Sequence, residues 1–391
     1  MTGVHHPADV PADSPVLGGL AAEGVSFWLA GLSRPVLADG TLARWIAQAH
    51  ITGLVLSSAA MTCEIRRAGD HAYREQLGLL AQRHASPEET VRALFAYDAR
   101  WACDLLSAAH TATDGLDGWV CVELDARLAH DHRSAVEEAR ALAAAVNRPN
   151  LLVTVAAAGA GPAVARECLA DGIGVNVSLI HSAERYGEVL DACWEGLERA
   201  HRAGRDAARV ACAATWELAE VEAAVDERLG APGGAAGAAA LRGRTALALA
   251  RTAHDLQDRR LDSERWRGLR NAGARPHRLV WSGAGAAESR PDPGRLAARV
   301  RQVEEIVAWR TVHVLTRAEL AETARRARPR GDSLMGESTA ALDVVAALRR
   351  RGIRLGPLAA DLERRRLRRA ERDRRELLDA VQGPPAVRAR R

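Results

Sequence analysis

Residues 151–180 read LLVTVAAAGAGPAVARECLADGIGVNVSLI, and this stretch decides the fold. An apolar run rich in Val and Leu opens at Leu151, a longer amphipathic segment follows, and a second apolar run begins at Ile173. Strand, crossover helix and strand in that order make a parallel pair, because parallel neighbours need a long connection. The apolar start, LLVTVAAAGAGPAVA, is interrupted by Gly and Pro and falls short of the roughly 20 residues a membrane helix needs.

The same alternation runs along the chain. Eight Val-, Ile- and Leu-rich runs start at Val25, Ile51, Trp119, Leu151, Ile173, Arg209, Arg278 and Arg310, with helical segments between them. Ser86 and Glu89 in SPEETVRALF form a capping box that starts one of these helices. Eight such units predict a single α/β domain, a (β/α)8 barrel over residues 19–355. A Pro- and Asp-containing lead-in, expected to be disordered, precedes it at 1–18, and an Arg-rich helical tail follows at 356–391. The Gly- and Ala-rich stretch 230–243 reads as a loop within the helical layer.

The chain has 391 residues, 48% of them hydrophobic, enough for one large barrel core. It contains no lysine: all 54 of its Lys and Arg residues are arginine. Any mechanism that needs a lysine amine is therefore closed, because a guanidinium stays protonated and forms no imine. The net charge of +4 is modest but unevenly placed, with eight arginines in RRRLRRAERDRR at 364–375. Interleaved with Glu363, Glu371, Asp373 and Glu376, they are expected to form a solvated helix face. Six scattered cysteines without a zinc-finger spacing read as small buried residues in a reducing compartment. No signal peptide, membrane span or nucleotide-binding loop is recognisable, so a cytoplasmic protein that binds neither nucleic acid nor membrane is expected.

In such a barrel the chemistry sits at the C-terminal ends of the strands. Those ends supply Ala30, Ser57, Glu123 with Asp125, Thr154, Asn176 and Ser178 with His181, Thr215, Gly283 with Ala284, and His313. Most are small or neutral. His181 and His313, with Glu123, have the residue types of a general-base or metal site, although each histidine also suits a loop or core role. His130 and His132 lack a third ligand, and neither a metal nor a cofactor is expected.

The runs GVSFWLAGLSR, VELDARLAHD, RPNLLVTV, DGIGVNVSLIHSAERY, RLDSERW, ARPHRLVW and GDSLMGES occur in the order of the long transaldolases, and the chain resembles that family over about residues 20–380. The resemblance implies a (β/α)8 barrel of the class I aldolase type. In the family a strand-four lysine forms a Schiff base with a ketose phosphate and passes a dihydroxyacetone unit to an aldose phosphate, as in the pentose phosphate pathway. Here NLLVTVAAA puts Thr154 at the lysine position. Ala30 stands for the acid/base aspartate, Ser57 for a strand-two asparagine, Ala219 and Glu220 for a phosphate-binding serine and arginine, and Gly283, Ala284 and Ala287 for further phosphate contacts. By the same resemblance Glu123 and Thr215 retain catalytic positions, and Asn176 and Ser178 substrate-facing ones.

Three readings are open. The first is a family member that has lost the reaction and serves as a binding protein or the partner of another protein. The second is an altered enzyme that acts without an imine on a sugar-like, non-phosphorylated or other neutral substrate, using Glu123, Asn176, Thr215, His181 and His313, with Ser57 and Ser178 as further substrate-binding positions. The third is a working transaldolase, which the lysine count opposes.

Overall fold

The computed structural model describes residues 14–32, 34–67, 72–230, 238–283 and 292–383. All eight apolar runs form strands: β1 Ser26–Ala30, β2 Ile51–Leu56, β3 Trp119–Glu123, β4 Leu151–Ala156, β5 Val175–Ile180, β6 Cys212–Trp216, β7 Arg278–Ser282 and β8 Thr311–Thr316. They pair in parallel in sequence order and β1 closes on β8, so the (β/α)8 barrel is the observed architecture.

Side chains alternate across each strand, and the two faces build two different cores. Trp28, Trp119, Cys121, Leu152, Ala213, Val280, Val312 and Val314 fill the barrel interior. Their neighbours, among them Phe27, Val120, Val153, Trp216, Trp281 and Leu315, pack outward against the helices. Gly53 is required where it lies, because a Cβ there would come within 2.4 Å of the Trp28 ring.

Strand ends pass almost directly into helices through polar caps. Ser57 accepts from the Ala60 N–H to cap Ser58–Arg66, and Ser182 accepts from the Arg185 N–H to cap Ala183–Arg202. Thr316 with Glu319, like Ser86 with Glu89, forms a capping box. After β4 the turn into the helix Gly161–Ala170 is so close that a Cβ at position 161 would lie 1.7 Å from the Ala156 carbonyl oxygen.

Two expectations from the sequence change. The lead-in boundary drawn at residue 18 falls inside a helix, Pro15–Ala22, because Ser14 caps it and also donates its hydroxyl to the Ala324 carbonyl. Of the six cysteines, all without disulfides, Cys63 is exposed and the other five are buried. Of the expected loop 230–243, residues 231–237 lie outside the described residues, and a short turn, Ala239–Leu241, leads on to the helix Thr245–Leu261.

The C-terminal helix Leu355–Gln382 departs furthest from expectation. Its arginines do not all face water, because the helix lies across the rim with Leu367, Leu377 and Leu378 buried. Leu367 packs with Ala158 and Leu179 at the ends of β4 and β5. Arg374, 3% exposed, sends Nε to within 3.3 Å of Asp125 Oδ2, and Arg185 from the helix after β5 makes two hydrogen bonds to Glu363, at 2.9 and 3.1 Å. Among the described residues no helix is long and apolar enough to cross a membrane.

Candidate active site

Three neighbouring strands set the floor of the mouth. In register, Glu123 of β3 lies beside Thr154 of β4, which lies beside Asn176 of β5, so the alternation that buries Cys121 and Leu152 lower in the barrel turns these side chains into the cavity above. Thr215 Oγ1 of β6 donates to Asn176 Oδ1 at 2.7 Å, and Asn176 Nδ2 donates to Thr154 Oγ1 at 3.4 Å. The result is a neutral, hydrogen-bonded row: Thr154, Asn176 and Thr215 are 8%, 3% and 6% exposed. Ala30, Ser57, Ser178 and Ser282 complete the cavity with small side chains.

Glu123 ends the row as its acid. Burial lifts its carboxyl above the ordinary carboxylate range, although Oε2 accepts the Ser58 N–H at 3.1 Å and so sits at the start of the helix that follows β2. Ser57 lines the cavity next to it but also caps that helix, so its hydroxyl already has a structural partner.

The backbone changes path at β5. Its register with β6 shifts between Val177 and Ile180, and Leu179 takes a φ of +63°, a conformation that costs a branched L-residue energy. This brings Leu179 into the wall of the cavity under Leu367 of the C-terminal helix.

The histidines separate from each other. His181 is 2% exposed beside the mouth, with Nδ1 2.9 Å from the Leu179 carbonyl oxygen and Nε2 3.2 Å from Glu220 Oε2. It holds Glu220 in place and is not among the cavity-lining side chains. His313 does not reach the mouth at all. Val312 and Val314 take the inward positions on β8, so His313 points into the helical layer, where Nε2 meets the Ile306 carbonyl oxygen at 2.9 Å. Burial pulls its pKa down to about 3, which keeps it neutral and removes it as a base for the site. Asp125 also serves structure, since it pairs with Arg127 at 2.7 Å and with Arg374. Gly283 lines the cavity, whereas Ala284 and Ala287 lie outside the described residues.

Two site residues escaped sequence reasoning. Glu217, 3% exposed, faces the cavity, and its Oε2 is buried without a hydrogen-bond partner. The signal was the strand period itself, because Glu217 lies two positions beyond the inward-facing Thr215. Burial raises its carboxyl, opposed only in part by Arg366 and, more weakly, by His181 and the Ser282 hydroxyl. Arg366, from the C-terminal helix, lines the same cavity with Nε 3.3 Å from Glu220 Oε1, and Glu217, Glu220 and Glu123 together hold its guanidinium firmly charged against the cost of burial. For Glu220 itself burial acts upward, but the His181 hydrogen bond and Arg366 outweigh it and keep the carboxyl below its ordinary value. Among the described residues no group of three His, Cys, Asp or Glu side chains is placed to hold a metal ion.

Residues 42–381 match the transaldolase/fructose-6-phosphate aldolase family. The chain is 39% identical to the transaldolase of Acidothermus cellulolyticus over 369 residues, covering 93% of this chain and 95% of that protein. It is 40% identical to the transaldolase of Thermobifida fusca, covering 93% and 96%, and 38% identical to transaldolase 1 of Streptomyces avermitilis, covering 93% of each.

Proposed function

Because the chain belongs to the transaldolase/fructose-6-phosphate aldolase family, we propose that it is a member that no longer transfers dihydroxyacetone units and works as a binding protein or as the partner of another protein. The observation that carries this reading is Thr154, which occupies the inward strand-four position of the family's Schiff-base lysine in a chain with no lysine anywhere. A hydroxyl cannot form an imine, and no other side-chain amine is present to substitute. The surroundings support the same reading. Ala30 supplies no acid or base at the end of β1, and Glu220 puts a negative charge where the family's phosphate-binding arginine belongs.

The test is direct. Purified protein given fructose 6-phosphate and erythrose 4-phosphate should show no turnover in a coupled assay, and borohydride should trap no adduct. Turnover at an enzyme-like rate would overturn the reading.

A second reading is favoured by Glu123, a carboxyl raised by burial at the end of a hydroxyl and amide row. That is the equipment of a general acid acting on a neutral, carbohydrate-like substrate without an imine. Release of product from non-phosphorylated sugars, lost in Glu123→Gln, distinguishes it from pure binding.

A further inference from the structure

Charge in the mouth is unevenly matched. Glu123, Glu217 and Glu220 surround one guanidinium, that of Arg366, and its closest ion-pair contact is with Glu220. Glu220 has a second partner in His181, and Glu123 has the Ser58 N–H. Glu217 lines the cavity under the influence of Arg366 and, weakly, of the Ser282 hydroxyl, but its buried Oε2 has no hydrogen-bond partner. A buried carboxylate oxygen without a partner is costly, and the usual remedies are a proton or a bound cation. The remaining acid of the wall, Glu319, does not share this need, because its Oε2 accepts the Thr316 N–H and its Oε1 lies 3.5 Å from Arg299 Nε.

The floor beside Glu217 has the complementary chemistry. Thr215 is two residues before it on the same inward face, and its hydroxyl continues through Asn176 to Thr154. Hydroxyl and amide groups in a row suit a polyol, and an acid at one end suits an ammonium group on that polyol.

We infer that the mouth takes a hydroxyl-bearing primary amine of the amino-sugar class, with its ammonium group on Glu217 and its hydroxyls along Thr215, Asn176 and Thr154. This deepens the binding reading above and rests on it. The site disfavours a sugar phosphate by the same arrangement, since a phosphate dianion would meet Glu123, Glu217 and Glu220, which outnumber Arg366 and Arg369.

Three probes of one ring size separate the cases: glucosamine, glucose and glucose 6-phosphate, titrated calorimetrically into the full chain at neutral pH. Glucosamine should bind about tenfold or more tightly than glucose, the effect of a charge-assisted hydrogen bond, and glucose 6-phosphate should give no binding heat. In Glu217→Gln, which keeps the shape and removes the charge, the preference for glucosamine over glucose should vanish. Equal binding of glucose and glucosamine, tighter binding of the phosphate, or no glucosamine heat from the folded protein each overturns the inference. The comparison of ligands on the unaltered chain stands even if the variant folds poorly. Failure here is distinct from failure of the binding reading, because transaldolase turnover is measured separately. A protein that neither turns over nor binds glucosamine refutes only this site, and one that turns over while binding it refutes only the loss of the reaction.

Discussion

Arg366, on a helix at the far end of the chain, places Nε 3.3 Å from Oε1 of Glu220, which follows the sixth barrel strand. This pair ties the C-terminal helix to the mouth and gives the buried Glu220 carboxylate a cationic partner.

Arg366→Met should weaken the fold. The neutral side chain keeps most of the volume but removes the guanidinium that offsets Glu217 and Glu220, and stranding buried charge costs about 3 kcal/mol. Urea unfolding should show that loss, with Arg366→Lys much closer to the original protein. Equal stability of Arg366→Met would mean that the guanidinium contributes nothing to holding the helix.

Glu217→Gln should change stability in a pH-dependent way. The carboxyl of Glu217 is raised in the folded chain, so its contribution to stability is fully present below the ordinary glutamate value, about 4.3, and is lost as pH rises through the higher folded value. The amide variant escapes that loss. It should be the more stable protein at pH 7 to 8, with the advantage gone near pH 4, in paired thermal or urea unfolding series. A constant difference at all pH values would show that the carboxyl is not perturbed by burial.

Asp125→Ala should loosen the C-terminal helix. Asp125 is 5% exposed and is the acid that meets the buried Arg374, so its removal strands a guanidinium at a cost of about 3 kcal/mol. Amide hydrogen exchange should quicken most over residues 363–378, where the helix rests on the rim. Unchanged protection there would separate the ion pair from the docking.

Thr154→Lys alone should not restore transaldolase turnover. The new amine would find no acid or base at Ala30 to move protons, and the negative charge of Glu220 would oppose a sugar phosphate. A positioned acid/base group is worth about 10²- to 10⁴-fold in rate. Borohydride trapping followed by mass spectrometry checks for the imine, and a competent single variant would show that the rest of the mouth still handles sugar phosphates.

Gly53→Ala tests the interior of the barrel. A Cβ at this position meets the Trp28 ring at 2.4 Å, and overpacking of this kind costs about 2 kcal/mol. A variant as stable as the original would mean that Trp28 does not fill the space above β2.

The sequence alone determined the barrel and the absence of any lysine side chain. Eight apolar runs separated by capped amphipathic segments are local signals, and each strand could be located because burial on both faces makes it apolar throughout. The lysine count needs no structure, since no fold can supply a missing amine. Face assignment was less secure for the same reason that location was easy. On a strand buried on both sides, apolarity does not tell inward from outward, so His313 could be assigned to the mouth until Val312 and Val314 were found to occupy the inward positions. Tertiary structure alone decided where the arginine run goes. Arginines spaced among acids look the same whether a helix faces water or a ring of carboxylates, and the difference lies in Glu123, Glu217, Glu220 and Asp125, which are remote in sequence and meet the helix only when the barrel closes. Desolvation then turns charges that would be inconsequential at the surface into the groups that define the mouth.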